Sequence, residues 1–62
     1  MVSFTANKFK YIEELDDVSL FVQECSGYFE VQRHVVEFFV PAEYQEFILL
    51  KYPFLTPEDY IL

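Results

Sequence analysis

The sequence is poor in glycine, cysteine and basic residues, and it contains no tryptophan. A single glycine, Gly27, is too little for a glycine-rich loop that binds phosphate. A single cysteine, Cys25, excludes a disulfide within the chain, so we expect a reducing, cytoplasmic setting. Four Lys and Arg residues stand against eleven Asp and Glu residues, a formal net charge of −7. This imbalance disfavours direct binding to nucleic acid or to a membrane surface.

Long apolar runs are also missing. The longest one, Phe47 to Leu50, is far shorter than the roughly 20 residues that a membrane-spanning helix needs. The N-terminal stretch MVSFTANKFKYIEE lacks the apolar segment of a signal peptide. At 62 residues the chain is expected to form a single domain, residues 1–62, which buries only about 60% of the surface of its unfolded chain.

Aromatic residues, by contrast, are abundant. Eight Phe and five Tyr side chains, each covering about 150–250 Å², exceed what so small a core can enclose. Contiguous exposed apolar surface usually marks an interface, although a tail turned back at Pro53 could cover part of it. The apolar residues predicted to contact a partner are crowded into residues 38–54: Phe38, Phe39, Phe47, Leu50 and Phe54.

The N-terminal half has two interpretations. If Ser26-Gly27 is a two-residue turn, Val22 faces Val31 across a hairpin, and a second turn at Asp16-Asp17 extends it. This register collects most apolar side chains on one face. It predicts an α+β protein in which a small three-stranded antiparallel meander, about 8–40, is covered by a C-terminal helix.

The competing interpretation is helical. Val18, Phe21, Val22 and Cys25 have the i, i+3, i+4, i+7 spacing of one helix face, and Gly27 would then end that helix as a C-terminal cap. Under this alternative the chain is an all-α three-helix domain. We favour the meander because a helix offers no comparable cross-strand check.

The C-terminal half predicts a helix over about 41–52. Pro41 suits a first helical position, Glu43 lies in the first turn, and Pro53 stops the helix. Its inward stripe would comprise Tyr44, Phe47, Ile48 and Lys51, and Thr56 would cap a last short turn that begins at Pro57.

The segment FILLKYPFLTPEDYIL resembles part of a small family of winged-helix, antitoxin-like domains. The shared features are a helix, a tyrosine-proline turn and a Leu-Thr-Pro-Glu-Asp helix start. The resemblance covers about sixteen residues and implies no function for this chain.

Patterns that carry chemistry are weak. Cys25 and His34 would lie about 20 Å apart in the predicted hairpin, too far for a nucleophile and its base. Adjacent acids such as Glu13-Glu14 are typical of solvated turns and helix starts rather than of a paired-carboxylate active site. One His and one Cys make no zinc site. We therefore expect no enzymatic activity, no metal and no cofactor.

Together these features favour a small acidic protein that acts by protein–protein contact. The first hypothesis is an inhibitor or adaptor that presents carboxylates and an aromatic patch to a larger partner with a basic surface, such as a nucleic-acid-binding protein, as phage inhibitors and DNA mimics do. The alternative is a structural homo-oligomer or a subunit of a larger assembly, and self-association is expected in either case. The predicted acidic contact residues are Glu13, Glu14, Asp16, Asp17, Glu43, Glu46, Glu58 and Asp59.

Overall fold

The computed structural model describes residues 1–57. Its elements, in chain order, are β1 (Val2–Asn7), α1 (Leu15–Glu24), β2 (Tyr28–Val31), β3 (Val35–Val40), a 3₁₀ turn (Ala42–Tyr44), α2 (Gln45–Lys51) and β4 (Thr56–Pro57). The strands form one antiparallel sheet in the order β2-β3-β1-β4. The order βαββαβ with this sheet is the connectivity of split-βαβ, ferredoxin-like folds. The α+β class expected from the sequence is confirmed.

One face of the sheet carries the core. Along β1, Val2, Phe4 and Ala6 point to the same side, and Phe4 lies opposite Phe38 of β3. Strand side chains alternate between faces, so this apolar row faces the helices and the residues between them face away. The buried cluster joins both helices to this face: Phe4, Ala6, Val18, Val22, Cys25, Val36, Phe38, Val40, Ile48, Tyr52 and Leu55.

The predicted meander is wrong at residues 15–24, because they form helix α1 rather than a strand. Val18 and Val22 are fully buried and Cys25 nearly so, which is the helical spacing that the sequence offered as the alternative. The all-α interpretation is wrong as well, since β2 and β3 follow. The strand that completes the sheet is instead β1, which lies before the predicted meander.

The end of α1 also differs in detail from the prediction. Gly27 N–H donates to Val22 O at 2.9 Å and Ser26 N–H donates to Gln23 O at 3.1 Å, the two bonds of a Schellman motif. The residue with positive φ is Ser26, at 65°, and not Gly27. Gly27 is needed for space: a Cβ there would lie 2.1 Å from Phe39 O.

The predicted turn at Ser26-Gly27 therefore joins a helix to a strand. The hairpin turn lies at Arg33-His34, within the segment predicted to be one continuous strand, and Gln32 N–H donates to Val35 O at 2.8 Å across it.

The C-terminal helix is confirmed, and it ends before Pro53 as expected, but it begins later than predicted. Pro41 is not a first helical residue, because its ψ of 144° is extended; a 3₁₀ turn follows it, and α2 runs from Gln45 to Lys51. Within its predicted inward stripe, Ile48 is fully buried, whereas Phe47 and Lys51 are exposed. The predicted cap at Thr56 is wrong, because Thr56 and Pro57 pair with Thr5 and Phe4 of β1 as strand β4; the rest of the predicted last turn lies outside the described residues.

Within residues 1–57 the structure contains no helix with the length and apolar character needed to cross a membrane.

Candidate functional site

An apolar groove opens between the start of α1 and strand β2. We call it the α1/β2 groove. It encloses a volume of about 340 Å³. Its lining comprises Lys8, Phe9, Ile12, Leu15, Asp16, Ser19, Phe29, Val31 and Val36. The polar members, Lys8, Asp16 and Ser19, are few, so the groove suits apolar side chains of a ligand or partner.

The connection from β1 to α1 holds one wall of this groove in place. Asn7 Oδ1 accepts hydrogen bonds from the backbone N–H groups of Phe9 and Lys10, both at 2.9 Å. Lys8 N–H donates to His34 O at 2.9 Å and ties the connection to the β2–β3 turn. These bonds fix Phe9 beside β2 rather than in the core.

Three large apolar side chains of the groove remain open to solvent. Phe9 is 64% exposed, Ile12 is 66% exposed and Val31 is 61% exposed. Their proximity is significant because isolated exposed apolar residues are common on protein surfaces, whereas contiguous ones mark contact sites.

Strand β2 borders the groove and is an edge of the sheet. Hydrogen-bonded and non-bonded pairs alternate along an antiparallel ladder, and the Gln32–Val35 bond sets the phase. The ladder bonds to β3 therefore belong to Glu30 and Tyr28. The N–H and C=O groups of Phe29 and Val31 point outward to the open edge, which is a template for another strand.

The opposite face of β2 carries charge. Glu30 lies directly across from Glu37 of β3, so two carboxylates form a row on the face that the helices leave open. We call this pair the glutamate row. Gln32 Nε2 donates to Glu37 Oε1 at 2.8 Å, and Glu30 has no side-chain hydrogen bond or ion pair among residues 1–57. Like charges directly opposite each other destabilise a strand pair, so this row favours a cation beside it.

A second apolar surface lies on the two helices. Phe21 of α1 stacks on Phe47 of α2 with ring centroids 5.6 Å apart, and Lys51 Nζ lies 5.3 Å from the Phe21 ring centroid. Leu50 is 84% exposed, and Leu20 is exposed too. We call Leu20, Phe21, Phe47 and Leu50 the helix patch.

The structure separates the predicted acidic residues into two groups. Glu13, Glu14, Asp16 and Asp17 surround the start of α1, which follows the Asn7 end of the sheet. Glu43 and Glu46 flank the start of α2, which follows the Val40 end. Because Asn7 pairs with Val35 and Val2 with Val40, these are opposite ends of the sheet. Glu58 and Asp59 lie outside the described residues.

No ion pair joins two side chains within residues 1–57. Among the nine carboxylates of this part, Asp17 accepts a hydrogen bond from the Tyr52 hydroxyl at 2.6 Å, and Glu37 accepts the bond from Gln32. The negative charge of the described chain is thus left largely unneutralised by its own bases.

The predicted apolar contact residues differ in burial and in position. Phe38 has to be withdrawn because its ring is fully buried in the core, where no partner reaches it. Phe47 and Leu50 are exposed on the helix patch. Phe39 stacks on Tyr28 on the open sheet face with centroids 4.7 Å apart, and half-buried Phe54 stacks on Tyr11 at 4.4 Å.

Cys25 and His34 lie in different environments. Cys25 is buried, and burial together with the nearby Glu24 charge raises the pKa of its thiol, so its reactive thiolate form is disfavoured. His34 is exposed in the β2–β3 turn, 6.5 Å from the Phe9 ring between centroids. Within residues 1–57 no three His, Cys, Asp or Glu side chains cluster closely enough to hold a metal ion.

Sequence reasoning missed the α1/β2 groove, since it placed residues 8–40 in a continuous meander in which Val31 faces Val22. A usable signal was present: Phe9 and Ile12 precede α1 but fall outside its buried stripe, so nothing in the helix accounts for them.

Comparison of the chain with protein-family models, with curated proteins and with solved structures finds no match in any of the three.

Proposed function

We propose that this chain is a small, non-enzymatic, acidic protein that binds another protein and acts on it as an inhibitor or adaptor. The observation that carries the proposal is the α1/β2 groove, in which Phe9, Ile12 and Val31 are each more than half exposed within one apolar depression. Side chains of this kind supply affinity when a partner covers them, and the bond from Phe9 N–H to Asn7 Oδ1 fixes the position of the first of them.

The charge supports a basic partner. A formal charge of −7, with the described acids free of ion pairs, attracts a positively charged surface and raises the rate of association with it. Nucleic-acid-binding proteins present such surfaces, so an inhibitor that occupies a nucleic-acid channel fits this charge. Binding should weaken as salt rises, because exposed charges are screened over about 8–10 Å at physiological ionic strength.

Affinity capture with matched variants tests the proposal. The immobilised full chain is exposed to a lysate of its source organism, in parallel with Phe9→Ser/Ile12→Ser and with Leu50→Ser. All three residues are exposed, so the variants should fold alike. We expect a partner that the wild type and Leu50→Ser retain and that the groove variant loses. The captured protein is then purified, and its affinity is measured at two salt concentrations. Equal capture by all three chains, or binding that is indifferent to salt, would contradict the proposal.

A second candidate function is self-association, which the helix patch favours. Leu50 projects almost fully into solvent, close in sequence to exposed Phe47 on the same helix. Light scattering over a concentration series tests it: a dimer that Leu50→Glu dissociates, with helix content unchanged, would support this function. A monomer at every concentration would refute it.

A further inference from the structure

We propose that the partner adds an extended segment to strand β2 as a fifth, antiparallel strand, and that this segment reads apolar–basic–apolar. The inference rests on the proposed function and specifies its contact. It combines three features of one place in the fold: the open backbone edge of β2, the α1/β2 groove on one face, and the glutamate row on the other.

The backbone of β2 sets the register. Phe29 and Val31 carry the outward N–H and C=O groups, so an antiparallel strand forms its hydrogen bonds with these two residues. The residue of the partner opposite Glu30 falls between them. Strand addition of this kind takes its affinity from main-chain bonds and its specificity from alternate side-chain sites.

Side-chain alternation then assigns each position of the incoming triplet. The partner residues opposite Phe29 and Val31 project to the groove face, where the exposed side chains of Phe9 and Ile12 lie. These two positions call for apolar side chains. The middle residue projects to the opposite face, next to Glu30.

The glutamate row selects the middle residue. Glu30 and Glu37 are directly paired, which for a hydrogen-bonded pair means Cα atoms about 5.5 Å apart. A Lys or Arg placed across from Glu30 relieves the repulsion between Glu30 and Glu37. Its positive charge is also attracted by the net negative charge of the chain. The row therefore marks the partner segment as basic.

The same row disfavours a second copy of this chain at the edge. An antiparallel two-fold pairing that bonds Phe29 to Val31 of a second copy places Glu30 against its own equivalent. With Glu37 on each side, four carboxylates would then stand in one row. Charged side chains on edge strands prevent self-pairing in this way.

The test is a selection of peptides from a random display library on the immobilised full chain. We expect enrichment of an apolar–Lys/Arg–apolar triplet, and a synthetic peptide of the enriched sequence then serves as the probe. Two pairs of variants locate its contacts. Val31→Pro removes the outward N–H without touching the ladder to β3, whereas Val31→Ala removes more side chain and keeps the N–H. Glu30→Lys reverses the charge next to the middle residue and makes the row neutral overall, whereas Glu43→Lys makes the same charge change in the turn before α2.

The peptide should bind Val31→Pro about tenfold more weakly than Val31→Ala, from a lost main-chain hydrogen bond and its fixed geometry. Selection on Glu30→Lys should no longer enrich Lys or Arg at the middle position, because Glu37 then pairs with the new lysine, while selection on Glu43→Lys should still enrich Lys or Arg. Amide exchange provides an independent readout: peptide should slow the exchange of Phe29 and Val31 N–H groups, which the free edge leaves open.

Equal affinity for Val31→Pro and Val31→Ala, or an unchanged preference on Glu30→Lys, would overturn strand addition. Protection of the Phe29 and Val31 amides that grows with protein concentration, without peptide, would assign the edge to a second copy and overturn it as well. Neither result affects a partner captured through Phe9 and Ile12, so this inference and the proposed function fail separately.

Discussion

Substitution of Gly27 by alanine should destabilise this fold through a steric clash alone. Gly27 does not have a positive φ, so an alanine meets no conformational barrier there. Its Cβ, however, would lie 2.1 Å from Phe39 O, 2.9 Å from Val22 Cγ1 and 3.0 Å from Val40 Cγ1. The closest of these atoms is backbone, which no side-chain rotation can move aside.

The size of the effect follows from this contact. The carbonyl and the new methyl group must separate by about 1 Å, which displaces the first residue of β2 from its partner on β3 or shifts the end of α1. Overpacking of a tight core typically costs about 1–3 kcal/mol. In a chain of this size a loss of about 2 kcal/mol corresponds to roughly 8–16 °C in Tm.

Ser26→Gly is the matched substitution, and its expected effect has the opposite sign. Ser26 holds φ at 65°, a left-handed conformation that is costly for residues other than glycine. Glycine removes that cost but adds flexibility to the unfolded chain, so we expect a net gain of about 0.5 kcal/mol.

Thermal and urea unfolding followed by far-UV circular dichroism measures both variants. A Gly27→Ala protein as stable as the wild type, or a Ser26→Gly protein less stable than Gly27→Ala, would refute the reasoning about where α1 ends.

Three further predictions concern the core and one buried hydroxyl. Tyr52→Phe should lower the free energy of unfolding by about 1–2 kcal/mol because it removes the hydrogen bond to Asp17, whereas Tyr11→Phe, which keeps the ring that contacts Phe54 and Lys10, should be near neutral in urea titration. Burial, and then the Asp17 bond, raise the pKa of Tyr52, so stability should be intact at neutral pH and fall as pH rises above about 10; Tyr52→Phe should flatten that decline. Ile48→Ala should cost about 2–5 kcal/mol, and an unaltered Tm would contradict the core described above; Leu50→Ala, two residues along the same helix, should change little.

The C-terminal half was predictable because its signals are local. Pro53 ends α2 by covalent geometry, whatever the rest of the chain does, and Pro41 comes just before the 3₁₀ turn that leads into it. The separation of the acidic residues between the two ends of the sheet has a local origin too, because these residues lie at the starts of α1 and α2. The burial of Phe38 could not be predicted from local signals, since its neighbour Phe39 has the same chemistry and faces the other side of the sheet.

The N-terminal half was ambiguous for a physical reason. Val18 and Val22 lie four residues apart, a spacing that places them on one face of a helix and also on one face of a strand. Only tertiary packing decides between the two, and here β1 fills the place in the sheet that a strand at 18–25 would have taken. The alternation in VSFTAN, with Val2, Phe4 and Ala6 on one side, was the signal for β1 that sequence reasoning overlooked.

The α1/β2 groove was harder to predict, since its walls come from three separate segments. The β2–β3 turn at Arg33-His34 has no glycine, proline, asparagine or aspartate to reveal it. Without that turn the register of β2 is unknown, and neither the open edge nor the pairing of Glu30 with Glu37 can be derived from the sequence.

The most direct test of the central claim is a chemical-shift map of the isotope-labelled chain, recorded before and after addition of the captured and purified partner. A partner bound at the groove and the β2 edge should shift the amide signals of residues 9–16 and 28–31 and leave α2 largely unchanged. Shifts confined to α2 and to Leu20 and Phe21 of α1 would contradict the central claim and assign the contact to the helix patch.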